Sequence, residues 1–197
     1  MRQWGWICVV IALVLAACAQ PEVPPDRFYR IEAPRPEQIM AQPRFAGALE
    51  VEDVSAGGLT AGRAIVYADS DRPNALETYS YHFWAEPPAH MVRDALVRYL
   101  RAAGVAGSVV TESMRLDPTY SLVSRLQKLE RLTGAAPGAV MEMEIALRDN
   151  DRGGLLSIGT YRAEVVPADD TIESAVDAFN AAFAEICTRL AADLARS

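Results

Sequence analysis

Histidine and cysteine are scarce in this chain: its 197 residues include two histidines, His82 and His90, and three cysteines, Cys8, Cys18 and Cys187. Protein zinc sites take three or four ligands and a supporting second shell. His82 and His90 with Glu86 between them fall short of that, and His82 reads as a solvated residue on the polar face of a strand. No Gly-x-Ser-x-Gly elbow occurs, so a serine hydrolase would lack its nucleophile. No Gly-x-x-x-x-Gly-Lys occurs either, so any ATPase working with this chain is a separate one. Asp149-x-Asp151 with Gly153 begins like a calcium loop but lacks the closing bidentate glutamate. Glu142 and Glu144 share a strand face and read as wetted surface, because acid–base work needs a pocket and a shifted pKa. A run of positive charge is also missing. The net charge is -7, with acids spread along the chain, which repels phosphate backbones and argues against nucleic acid as a partner.

No apolar run reaches the ~20 residues that span a bilayer. The one from Ile7 to Val14 follows Arg2 and precedes Leu15-Ala16-Ala17-Cys18, so residues 1–17 read as a signal peptide. The Leu-Ala-Ala-Cys ending resembles the bacterial lipobox, which makes Cys18 the acylated first residue of the mature chain. Each buried methylene contributes about 0.8 kcal/mol and two chains suffice for stable anchoring. Ala19 stands where an aspartate tends to mark inner-membrane retention, which points to the outer membrane and a periplasm-facing lipoprotein. Removal of the leader takes Arg2 and Cys8 with it, so Cys187 has no partner for an intrachain disulfide. On the apolar face of a helix, Cys187 reads as a small hydrophobe. Residues 18–26 carry three prolines and no apolar period; they read as a tether with a reach of roughly 25 Å.

From residue 27 onward the pattern is that of one domain. Alternation predicts strands over Phe28–Ile31, Ala48–Val54, Arg63–Tyr67 and Thr78–Trp84. In the last of these Tyr79, Tyr81 and Phe83 face one way, and Ser80, His82 and Trp84 the other. Pro87 and Pro88 end that strand and open a helix over Ala89–Ala103, with Gly104 in the position of its C-terminal cap. A short strand, Val109–Glu112, follows. Tyr120–Leu132 has leucines at helical spacing. Ala139–Leu147 alternates cleanly and pairs through the turn Asp149–Gly154 with Leu155–Val166 as a hairpin. Beyond Thr171, a candidate N-cap, an apolar stripe from Ile172 to Leu194 marks a long final helix. The expected class is α+β: a mostly antiparallel sheet with two amphipathic helices packed on one face. Trp84, at the end of its strand beside Glu86, reads either as an exposed interface aromatic or as a cap on the core.

Arg63-Ala-Ile-Val-Tyr67, then Tyr79 to Trp84 followed by Ala-Glu-Pro87-Pro88, then the helix Met91–Leu100 resemble the ABC-type transport auxiliary lipoprotein family, whose members include the lipoprotein subunit of Pqi-type transporters. The resemblance runs over nearly the whole mature chain. It turns Tyr120–Leu132 from helix to strand, although Arg125, Lys128 and Arg131 depart from the acidic-aromatic ending of that strand in relatives. It implies a non-enzymatic accessory subunit without cofactors, serving a transporter made of an MCE-domain substrate-binding protein, a permease and an ATPase that moves phospholipid or other apolar molecules between the two membranes. Trp84, Glu86, Pro87 and Pro88 become docking candidates, and a homo-oligomer is compatible with a ring-forming MCE partner. Two alternatives stand beside it: a periplasmic shuttle holding an acyl chain between sheet and final helix, and an envelope hydrolase with an unrecognised site.

Overall fold

A computed structural model describes residues 23–196; Cys18 and the leader lie outside them. In chain order the elements are β1 (Arg27–Tyr29), β2 (Phe45–Val51), β3 (Ser55–Ala56), β4 (Ala64–Asp69), β5 (Glu77–Trp84), α1 (Pro88–Ala103), β6 (Ala106–Val110), β7 (Tyr120–Thr133), β8 (Gly138–Asp149), β9 (Gly154–Val165) and α2 (Ile172–Arg196). The class is α+β. The sheet, however, is mixed and curled rather than mostly antiparallel: five of its eight strand pairings are parallel. The cause lies in β7. One of its edges is shared end to end by β2, β3 and β4, all parallel to it, while its other edge carries β8 and then β9 as an antiparallel meander. From β2 the sheet continues to β6, and from β4 to β5 and β1. The helices cover different sections of this surface: α1 lies on β2 and β6, α2 on β8 and β9.

The helical spacing of the leucines in β7 has a strand explanation. Leu122 and Leu126 pair with Leu147 and Met143, then the register slips by one residue before Lys128 pairs with Glu142. The extra residue, Gln127, is a β-bulge that reverses the alternation, so Leu129 points inward again and all three leucines are buried. The same reversal turns Arg131 inward. Its side chain is 5% exposed and forms an ion pair with Asp170, whose side chain is 93% exposed. Arg131 also donates to the Tyr79 hydroxyl and to the Asp170 carbonyl, both at 2.8 Å. This fastens the start of α2 to the end of β7. Asp170→Ala is expected to cost about 1–3 kcal/mol, because a buried cation loses its acceptor, whereas an ordinary exposed substitution stays within about 0.5 kcal/mol. Denaturant midpoints for Asp170→Ala and Asp170→Asn check it; no shift in either would make the pair merely a surface contact.

Capping is local and legible. Gly104 takes φ 67°, the left-handed conformation that closes α1 and favours a residue without a Cβ. Thr171 accepts the Ser174 amide through its hydroxyl at 3.1 Å, capping α2. Along α2, Phe179, Phe183, Ile186, Cys187 and Leu190 are buried against the sheet. Near its end Tyr161 of β9 donates to Asp193 at 2.8 Å. Burial and that bond raise the Tyr161 pKa to about 12. Burial also pushes the Cys187 thiol up, which removes the thiolate a reactive cysteine needs.

Candidate docking site

The Trp-to-Pro-Pro corner is built by backbone bonds from three directions. The Trp84 amide donates to the Arg63 carbonyl at 2.6 Å and the Ala85 amide to the Tyr29 carbonyl at 2.7 Å. Arg63 returns a bond from Nε to the Trp84 carbonyl at 3.1 Å, and its guanidinium lies over the Phe28 ring at 5.5 Å. Pro87 then opens α1 as its N-cap, with the His90 amide donating to its carbonyl at 3.0 Å. Two missing donors, at Pro87 and Pro88, fall where a helix start leaves its amides unpaired in any case.

Trp84 does not stand at the surface. It is 1% exposed and meets Phe179 of α2 edge to face, ring centroids 5.6 Å apart. The sequence reading of Trp84 as a core cap is therefore the one the fold follows, because the large ring fills the space where α2 crosses β5. Pro88 is buried as well, while Pro87 is half-buried and Glu86 is exposed. Of the four docking candidates, only Glu86 and Pro87 can touch a partner directly; Trp84 and Pro88 fix where they stand.

Beside Glu86 opens a cleft of about 500 Å³, lined by Arg30, Glu32, Met91, Asp94 and Arg98 among others. Sequence reasoning missed this cleft, because its charges come from two segments about 60 residues apart. Asn180 of α2 holds one wall in place: its Oδ1 accepts the Glu32 amide at 2.9 Å and its Nδ2 donates to the Arg30 carbonyl at 3.4 Å. The lining mixes two acids beside Glu86 with two arginines, which suits the charged rim of a protein interface.

His82 is not a solvated residue. The pairing of β5 with β4 slips between Ala64 and Val66, and this irregularity brings Tyr79 to the same side as His82, edge to face at 5.7 Å. On the other side His82 stacks on Tyr29 at 5.8 Å, and its Nδ1 lies 2.9 Å from the Tyr29 hydroxyl. That hydroxyl donates to Glu173 at 3.1 Å, so the Tyr29 oxygen serves as acceptor for His82. His90 is exposed on α1. Among the described residues no group of three or more His, Cys, Asp or Glu side chains could hold a metal ion. Asp149–Gly154 is a turn, with the Arg152 amide donating to Asp149 at 2.9 Å.

The family model described as ABC-type transport auxiliary lipoprotein component matches residues 29–191. The chain belongs to this family. The match spans β1 to α2 and so includes the corner, the cleft and the long central strand. Among solved structures, a protein of Xanthomonas campestris, XCC0632, superposes with a TM-score of 0.74 at 20% identity, covering 84% of this chain and 92% of that one. An uncharacterized protein superposes at 0.67 with 18% identity, covering 86% and 99%. The hypothetical protein CT253 of Chlamydia trachomatis does so at 0.51 with 9% identity, covering 77% and 99%. At these identities the likeness establishes the fold that auxiliary lipoprotein components of this kind share with them, and nothing about partners. No curated protein matches the chain by sequence.

Proposed function

We propose that this auxiliary component is a membrane-anchored docking subunit of an MCE-type transport system, acting by recognition and not by bond-making. The observation that carries the reading is the corner itself: exposed Glu86 and half-buried Pro87 held from beneath by buried Trp84 and Pro88, beside a cleft of mixed charge. Preorganised surface of this kind lowers the ordering cost of association. Acylation at Cys18 confines the domain to a lipid surface and raises its effective concentration toward a partner spanning the periplasm. The outer membrane, on the strength of Ala19, is the proposed site of the anchor; phospholipid or another apolar molecule is the proposed cargo; and repeated copies around an MCE ring are the proposed arrangement.

The shuttle reading is weaker. The space between sheet and α2, where an acyl chain would sit, is taken by Trp84, Phe179, Phe183 and Ile186, each no more than 1% exposed. Among the described residues the hydrolase reading has little to stand on beyond the packed His82 and the Tyr29–Glu173 pair beside it. Photo-crosslinking amino acids placed at Glu86 and Arg98 in the acylated protein are expected to yield adducts with an MCE-domain protein in the envelope. Adducts confined to unrelated abundant envelope proteins would remove the corner as the docking surface.

A further inference from the structure

The outermost strand of the sheet carries the largest concentration of exposed apolar side chains. In β9, Leu155 is 58% exposed, Leu156 46% and Ile158 60%. Among the described residues β9 pairs with β8 alone, so its second edge presents backbone donors and acceptors without a ladder partner. The edge is not bare throughout. Toward its C-terminal end Arg189 of α2 donates to the Arg162 carbonyl at 2.5 Å, and Tyr161 is held by Asp193. What stays open is Gly154–Thr160, Gly-Leu-Leu-Ser-Ile-Gly-Thr, seven residues with no charge and no proline.

Natural edge strands are commonly protected by a lysine, a proline, an inward charge or a bulge. Here the one such device is the slip opposite Leu147 and Arg148. It places Leu156 in a bulge and leaves both leucines in solvent. A stretch of this composition is a template for another strand.

We infer that the open edge of β9 over Gly154–Thr160 receives a strand from another protein, apolar at its centre and acidic at its ends. Three occupants were open to it, and the chemistry separates them. A lipid surface would bury the apolar side chains but leave the edge amides and carbonyls unsatisfied in hydrocarbon, which is costly. A second copy could pair antiparallel about Ser157, setting Leu156 against Ile158. Just outside the paired stretch, that register also brings Arg152 of one copy toward Arg162 of the other at both ends, and like charges facing each other across a strand pair are destabilising. A foreign strand with acidic ends meets the same two arginines favourably, and Arg148, opposite Leu155 in the β8–β9 ladder, adds a third, half-exposed positive charge at the tip that it shares with Glu52 at 3.9 Å. Arg152 is 85% exposed, with Asp149 at 3.5 Å as its ion-pair partner, so it is available. Arg162 is shared with Glu142 and Glu164, which makes the tip end the stronger of the two.

The open edge starts at the end of the sheet opposite the entry of the chain. The hairpin turn sits at the first residues of β7, where the Asn150 amide donates to the Thr119 carbonyl at 2.9 Å. The chain enters at Arg27, which pairs with Glu173 at 2.7 Å, beside the segment that Arg131 holds near the other end of β7. Followed through the paired strands at about 3.3 Å per residue, the open edge runs from roughly 13 Å to roughly 30 Å along the sheet from the level of Arg27.

The inference rests on the docking reading but is tested separately from it, using a synthetic peptide of alternating valine and threonine with glutamate at both ends. Labelled and titrated with the folded protein, it is expected to bind with slowed amide exchange over Gly154–Thr160. Ile158→Lys and Leu156→Lys, both at exposed positions, are expected to weaken it at least tenfold, and lysine in place of the terminal glutamates should weaken it several-fold. Absence of binding, or equal binding to both variants, overturns the inference. So does a dimer that Ile158→Lys dissociates, which would make a second copy the occupant, or sedimentation with phosphatidylglycerol vesicles that Ile158→Lys abolishes, which would make it lipid. Transporter subunits recovered equally with wild type and Ile158→Lys would remove the edge and leave the docking reading standing.

Discussion

Exchanging residues 1–18 for a secretory leader that is cleaved without acylation is expected to move the protein from the membrane pellet to the soluble periplasmic fraction almost completely. No helix of the described residues is long and apolar enough to cross a membrane, and the proposed acyl anchor at Cys18 would hold the chain to lipid. At about 0.8 kcal/mol for each buried methylene, two or more chains make release negligible, whereas a single short chain would not. The folded domain should be unchanged, since its elements begin at Arg27 and residues 23–26 before them are exposed. Melting temperature therefore serves as the control. Persistent sedimentation of the exchanged protein with membranes would mean that the domain binds lipid by another surface.

The second large effect is expected at Trp84. Trp84→Ala should cost about 3–5 kcal/mol, as truncation of a fully buried aromatic leaves a cavity that its surroundings only partly fill. For a domain of this size each kcal/mol lowers the melting temperature by about 2–4 °C. The cavity opens against Phe179, whose ring is 5.6 Å away, so Trp84→Ala and Phe179→Ala should not add. A double-mutant cycle is expected to return a coupling of about 0.5–1.5 kcal/mol. Glu86→Ala, one turn of chain away and exposed, should leave stability within about 0.5 kcal/mol while weakening association. A Trp84→Ala protein of normal stability that fails only in association would restore the exposed reading of this residue.

That contrast between Trp84 and Glu86 shows where residue patterns sufficed. Alternation marked Trp84 as facing away from Tyr81 and Phe83, but which side was solvent depended on α2, about 90 residues later in the chain. The final helix, the β8–β9 hairpin and the proline-opened α1 were legible because their signals are local: caps, turns and periodicity. Strand direction was not. Three short strands share one edge of β7, and nothing within β2, β3 or β4 specifies a parallel neighbour. Within β7 the bulge at Gln127 makes leucines at strand positions imitate a helix, so only the resemblance to relatives pointed to a strand. The same bulge hid the role of Arg131, which in the sequence is one of three basic residues that depart from the ending of this strand in relatives. The open edge of β9 was hidden for the opposite reason: Leu155, Leu156 and Ile158 look like core residues, and only the fold shows that none of the described residues buries them.

The most direct test of the account is to extract the full acylated protein from envelopes in mild detergent under a tag and identify what accompanies it at fixed ratio. The account predicts subunits of an ABC transport system, an MCE-domain protein among them, retained by the wild type and reduced by substitutions at Glu86 and Pro87. Recovery of the lipoprotein alone, or of a preparation that turns over envelope lipid or glycan without any transporter subunit, would contradict it.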